Sequence, residues 1–153
     1  MDEVRKALEA GRDINATRFG VCALESAIQG GHKDLVVYLL EQKAELKQDD
    51  PRKTFFSAIH TAVCARDLDI LKLLIDLKAE VNGRDASGLT PLMDAGRGNA
   101  LKCCKYLVEV AHANPSLRCN RDRTALDWAN RNGCRKVSRY LSRSAEEKKC
   151  ACM

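Results

Sequence analysis

Histidine, cysteine and arginine are the residues here with chemistry to offer, and their spacing decides what it is. His32, His60 and His112 stand 28 and 52 residues apart. No serine or cysteine sits beside them in the setting a base-activated nucleophile needs. Gly96-Arg97-Gly98 reads as a turn between helices, and no glycine-rich loop to cradle a phosphate is present. The eight cysteines contain no Cys-x-x-Cys pair. Cys103 and Cys104 are neighbours within a helical pattern, so their side chains diverge by about 100° and make poor joint metal ligands. The expectation is therefore no catalysis, no cofactor and no metal.

The same cysteines do not read as a disulfide framework. Such frameworks belong to short secreted chains. The opening Met-Asp-Glu-Val-Arg-Lys is polar, with no apolar stretch after it, and no apolar run approaches a membrane span of about 18 residues. These features predict reduced thiols, several packed as small hydrophobes, in a cytoplasmic or nuclear protein.

One cysteine has a separate reading. The last four residues, Cys150-Ala151-Cys152-Met153, fit the C-a-a-X pattern for prenylation, with Cys152 departing from the usual aliphatic residue. A prenyl chain on Cys150 would bring the protein to a membrane, and Lys148 and Lys149 would add a weak electrostatic second signal.

The arginines gather late in the chain. Residues 1–90 hold 13 Lys and Arg against 15 Asp and Glu; residues 91–153 hold 13 against 6. The net charge of +5 is thus carried by the second half, which favours an acidic protein partner. Nucleic acid is disfavoured, since a single Trp and no recognised motif accompany the basic residues.

What positions these residues is a repeat. Cys22-Ala-Leu-Glu-Ser-Ala27, Ser57-Ala-Ile-His-Thr-Ala62, Thr90-Pro-Leu-Met-Asp-Ala95 and Thr124-Ala-Leu-Asp-Trp-Ala129 share one pattern, at steps of 35, 33 and 34 residues. Ser57, Thr90 and Thr124 are good helix N-caps, while Cys22 is a poor one. Pro91 stands at the first helical position, where its missing N–H costs nothing. A second amphipathic stretch follows each short helix, at Leu35–Leu40, Leu68–Ile75, Cys103–Val108 and Val137–Leu141, with apolar residues every three or four. Polar turn-forming segments such as Arg84-Asp-Ala-Ser-Gly88 then lead to the next unit.

These motifs resemble the ankyrin-repeat family over most of residues 1–143. The resemblance implies an all-α solenoid of helix–turn–helix units with hairpin-like loops. It sets a half-unit at 2–19, repeats at about 20–52, 53–86, 87–120 and 121–143, and a polar tail at 144–153. Arg66-Asp67 and Asn99-Ala100 depart from the Gly-His that the family usually places between the two helices, while Gly31-His32 keeps it. His32 and His60 fall at or near positions where the family has a structural histidine.

The resemblance also implies a non-catalytic module that binds a protein partner through its loop tips and the inner face of the first helices. The matching tip positions include Phe19, Phe56, Leu89, Arg121 and Arg123. The inner-face positions include Thr61, Asp94, Arg97, Trp128 and Arg131. Phe19, Phe56 and Trp128 are expected to meet solvent as large apolar anchors flanked by arginine. A monomer is expected, because the last unit turns polar residues outward.

Overall fold

The computed structural model describes residues 6, 9–15, 17–18, 21–44 and 58–150, at 17, 18, 21 and 145–150 for the backbone alone. Within them the chain forms eight helices in four pairs. The first pair is α1 (Ala23–Gln29) and α2 (Lys33–Glu41), and the second is α3 (Ala58–Cys64) and α4 (Leu68–Asp76). The third is α5 (Pro91–Arg97) and α6 (Leu101–Glu109), and the fourth is α7 (Ala125–Arg131) and α8 (Arg135–Cys150). A short antiparallel pairing of β1 (Thr17–Arg18) with β2 (Val21–Cys22) precedes them, with Thr17 opposite Cys22. No described helix is long and apolar enough to cross a membrane.

The first helices of successive units stack in one layer, α1 on α3, α3 on α5 and α5 on α7. The second helices form the layer behind. Fully buried Ile28, Ile59, Leu92 and Met93 from the first layer meet Leu39, Ile70, Leu71, Leu74 and Leu107 from the second. Each such side chain contributes about 1.5–3 kcal/mol on leaving water. A short helix has too little apolar surface to stand alone, so the stack is what stabilises each unit.

The caps are as the sequence predicts at Thr90 and Thr124. Thr90 Oγ1 accepts from Met93 N–H at 3.4 Å. Thr124 and Asp127 form a reciprocal capping box, with Asp127 accepting the Thr124 N–H at 2.8 Å. Cys22 corrects the expectation of a poor cap. Its sulfur accepts from Glu25 N–H at 3.4 Å, and Glu25 in turn accepts the Cys22 N–H at 3.1 Å. The glutamate three residues on supplies the strong half of the box and makes the weak sulfur acceptor sufficient. Ser57 lies outside the described residues.

Between paired helices the backbone passes through the left-handed region once per unit, at Gly31, Arg66, Asn99 and Gly133. Arg66 and Asn99 therefore adopt a glycine conformation without being glycine. Asp67, one place on, caps α4 by accepting from Asp69 and Ile70 N–H at 3.0 and 2.9 Å. A second set of left-handed residues, Lys43, Lys78 and His112, ends the second helices of the first three units. Helix α8 runs on through 144–150, the stretch read from sequence as a polar tail. Ala145-Glu-Glu-Lys-Lys149 are all strong helix formers, so continuation is locally favourable.

Candidate protein-binding face

The repeat spacing lines residues up across the inner helices. Thr61, Asp94 and Trp128 occupy one row, a repeat apart, and Cys64, Arg97 and Arg131 occupy the row one turn further on. Among the described helices, α5 and α7 pack most extensively. Gly96 makes that approach possible, since a Cβ there would stand 2.5 Å from the Ala125 carbonyl oxygen.

Asp94 is the unusual member. Its carboxylate is fully buried, and neither oxygen accepts a well-aligned hydrogen bond. Arg97 Nη2 lies 2.9 Å from Oδ1, close enough for an ion pair although not aligned as a hydrogen bond. Burial pushes the Asp94 carboxyl up to about 6, against the opposing pull of Arg97 and with help from the Asp85 charge. The Arg97 side chain remains 41% exposed, and it also lies beside the Cys64 thiol on α3. Desolvation on its packed side, together with the Asp94 charge, raises the thiol of the otherwise exposed Cys64.

The loops carry the other cationic groups, and they are tied from unit to unit. Asn114 N–H donates to Asn82 Oδ1 at 2.9 Å, Arg84 Nη1 to the Arg118 carbonyl at 2.7 Å, and Asn120 Nδ2 to the Ala86 carbonyl at 3.2 Å. Asn120 N–H also reaches the Ser87 carbonyl at 3.2 Å. Gly88, in the left-handed region, lies so close to Asn120 that no side chain would fit. His60 crosses units too, its Nε2–H donating to the Leu89 carbonyl at 3.0 Å, which fits the structural role expected of it. Burial holds the His60 ring below the usual imidazole range.

Cys119 closes the last tip through its backbone, its N–H donating to the Arg123 carbonyl at 3.0 Å and its carbonyl accepting from Asp122 N–H at 2.9 Å. In the preceding unit, Asp85 Oδ1 accepts from Ser87 and Leu89 N–H at 2.9 and 2.7 Å. Cys119 stands 34 residues on, and its sulfur faces the equivalent N–H groups of Arg121 and Arg123 without the short, aligned bonds of Asp85. The Trp128 indole leans toward the same sulfur without clean alignment. Burial works to raise this thiol, but these donors outweigh it and bring it below the ordinary range. Arg123 lies over the Trp128 ring at 5.3 Å, a cation–π contact. At the same tip Arg118 pairs with Asp122 at 3.3 Å.

The positions singled out from sequence thus divide. Arg97, Arg121 and Arg131 are exposed; Arg123 and Trp128 are half-buried and stacked on each other. Thr61, Leu89 and Asp94 are buried, so they shape the face without presenting a side chain to a partner. Leu89 is covered because its backbone is tied into the Asp85 turn and to His60. Trp128, expected in solvent, packs partly against the core. Phe19 and Phe56 lie outside the described residues, as does the Cys150 side chain. Cys119, expected only as a reduced thiol, stands at the turn position of Asp85, and the 34-residue offset between them is the signal for it. Among the described residues no group of three or more His, Cys, Asp or Glu is placed to hold a metal ion. Cys22, Cys103, Cys104, Cys119 and Cys134 are buried and Cys64 is exposed; burial pushes Cys104 up to about 12.

Comparison with known proteins agrees with this architecture. The family model described as ankyrin repeats (3 copies) matches residues 59–151. The chain is 30% identical over 102 residues to Protein fem-1 homolog A-like of Mus musculus, covering 67% of this chain and 15% of that protein. It is 38% identical over 81 residues to the potassium channel AKT1 of Arabidopsis thaliana, covering 53% and 9%. It is 29% identical over 134 residues to BCL-6 corepressor-like protein 1 of Homo sapiens, covering 88% and 7%. The chain thus spans only a small part, from 7 to 15%, of the length of these relatives. A match over more than half of the chain, on the helix pairs described above, shows that it belongs to the ankyrin-repeat family.

Proposed function

We propose that this chain is a small adaptor or inhibitor that holds one protein partner across the loop tips and inner-helix face of its last two units. Ankyrin repeats are protein-interaction modules, and the family is typically non-catalytic. The observation that carries the finer reading is the Arg123–Trp128 stack, set between exposed Arg121 and Arg131 on a tip tied to its neighbour by hydrogen bonds. A rigid aromatic–arginine centre with a charged surround is the composition of an interface hot spot. Fixing the loop in advance lowers the entropy lost on binding. The basic balance of residues 91–153 favours an acidic partner.

The test is affinity purification with the wild-type chain and the Arg121→Glu/Arg131→Glu double variant. A protein recovered by the first and lost by the second, with helical content unchanged, supports the reading. Recovery of the same proteins by both overturns it.

A further inference from the structure

We propose that Arg97 is a partner-contacting group of this face, that it takes a carboxylate of the partner, and that a proton on Asp94 releases it to do so. The inference rests on the binding face proposed above and names both its partner chemistry and its regulation.

The geometry is a buried anion roofed by a half-exposed cation. Asp94 is sealed from water, and Arg97 is the group that neutralises it. A partner carboxylate arriving at the outer edge of Arg97 would set two anions around one guanidinium, the inner one unable to recover hydration. That repulsion is relieved if Asp94 takes up a proton. Arg97 is then left with one anionic partner, in the planar geometry that suits bidentate pairing. Binding of an acidic segment and protonation of Asp94 therefore favour each other, and the coupling is reciprocal.

The surroundings leave Asp94 as the responsive group. From α3, Cys64 and His60 face the third unit, and His60 is engaged with Leu89. The preceding loop supplies Asp85, whose carboxylate is committed to its own turn and adds to the negative field at Asp94. On α6 the buried titratable groups are Cys103 and Cys104, both with thiols raised by burial and neutral at working pH. Helix α7 offers Trp128 at the repeat-equivalent position, Arg131 one turn on, and Asp127, which is held in the Thr124 cap. Arg97 and Arg131 share one row, so an acidic segment crossing the two last units meets both in succession. The carboxylate is preferred to a phosphate because the cationic row is short and lacks further aromatic groups on which bases would stack.

The test uses the full chain and a fluorescein-labelled octaglutamate peptide, with an octathymidylate of equal length as comparison, at pH 5.5 and pH 7.5. Asp94→Asn keeps the size of the side chain and removes the charge; Arg97→Gln removes the contact. At pH 7.5, Asp94→Asn should bind octaglutamate about fivefold to tenfold more tightly than wild type, and at pH 5.5 the two should converge. Arg97→Gln should bind weakly at both values. Any pH effect common to both proteins cancels in the ratio between wild type and Asp94→Asn, so that ratio is the quantity read. An equal ratio at both pH values overturns the proposal, as does Arg97→Gln binding like wild type. Tighter binding of octathymidylate overturns the choice of partner chemistry. If octaglutamate fails to bind while a protein is still lost with the Arg121→Glu/Arg131→Glu variant, this inference falls and the proposed function stands.

Discussion

His60 Nε2 lies 3.0 Å from the Leu89 carbonyl oxygen, so an imidazole on α3 closes the turn that leads into α5. The ring is buried and its basicity is lowered. It charges more readily in the unfolded chain than in the folded one. Its contribution to stability is therefore full above the ordinary imidazole range, near pH 6.5, and is lost as pH falls through it. His60→Ala should destabilise the chain by about 2–3 kcal/mol at pH 7.5, combining a cavity with an orphaned carbonyl. The penalty should shrink at pH 5, and urea midpoints at the two pH values check it.

Asp94 acts with the opposite sign. Its carboxyl stands at about 6 in the folded state against 3.8 for the ordinary group. The folded chain binds the proton more tightly, so stability falls as pH rises from about 4 to 6 and stays reduced above it. A gap of about two pH units corresponds to roughly 3 kcal/mol at most. Asp94→Asn should recover part of this, raising stability by about 1–3 kcal/mol at pH 7.5 and by nothing near pH 4. Equal gains at both pH values would show that the side chain acts through packing alone.

Cys119→Asp should stabilise the last tip. The carboxylate would accept the Arg121 and Arg123 N–H groups as Asp85 accepts those of its own turn, among nearby arginines. The gain should be about 1 kcal/mol, or a melting-point rise of about 2–4 °C, measured by thermal unfolding.

Gly96→Ala should do the reverse. Its Cβ would press on the Ala125 carbonyl, which is backbone and cannot swing aside. Spreading α5 from α7 should cost about 1–3 kcal/mol. A denaturant midpoint unchanged from wild type would show that the two helices part freely.

The fold was legible because repetition multiplies weak signals. A single Thr-Pro-Leu is ambiguous, but four matched cores at 33 to 35 residues fix the helix pairs and their order. Single positions were harder. The capping by Cys22 depends on Glu25, three residues away, and a thiol alone does not announce it. Arg66 and Asn99 take the left-handed conformation because their place in the repeat demands it, against local preference. At the binding face the arginines were readable as a charge excess. The burial of Asp94 was not, since it comes from helices about one repeat away in the chain; the bonds of His60 and Cys134, which span 29 and 37 residues, are hidden from sequence in the same way.

The ties between units have a consequence for how the chain reaches this state. Asn82 with Asn114, Arg84 with Arg118 and Tyr140 with Glu109 are separated by 32, 34 and 31 residues, about one repeat each. Among the described residues no tie of this kind asks the chain to close a much longer loop. Folding can start wherever two adjacent units first dock and then travel outward one unit at a time. Adding units would lengthen that journey in proportion, without the steep slowing that distant strand pairing imposes.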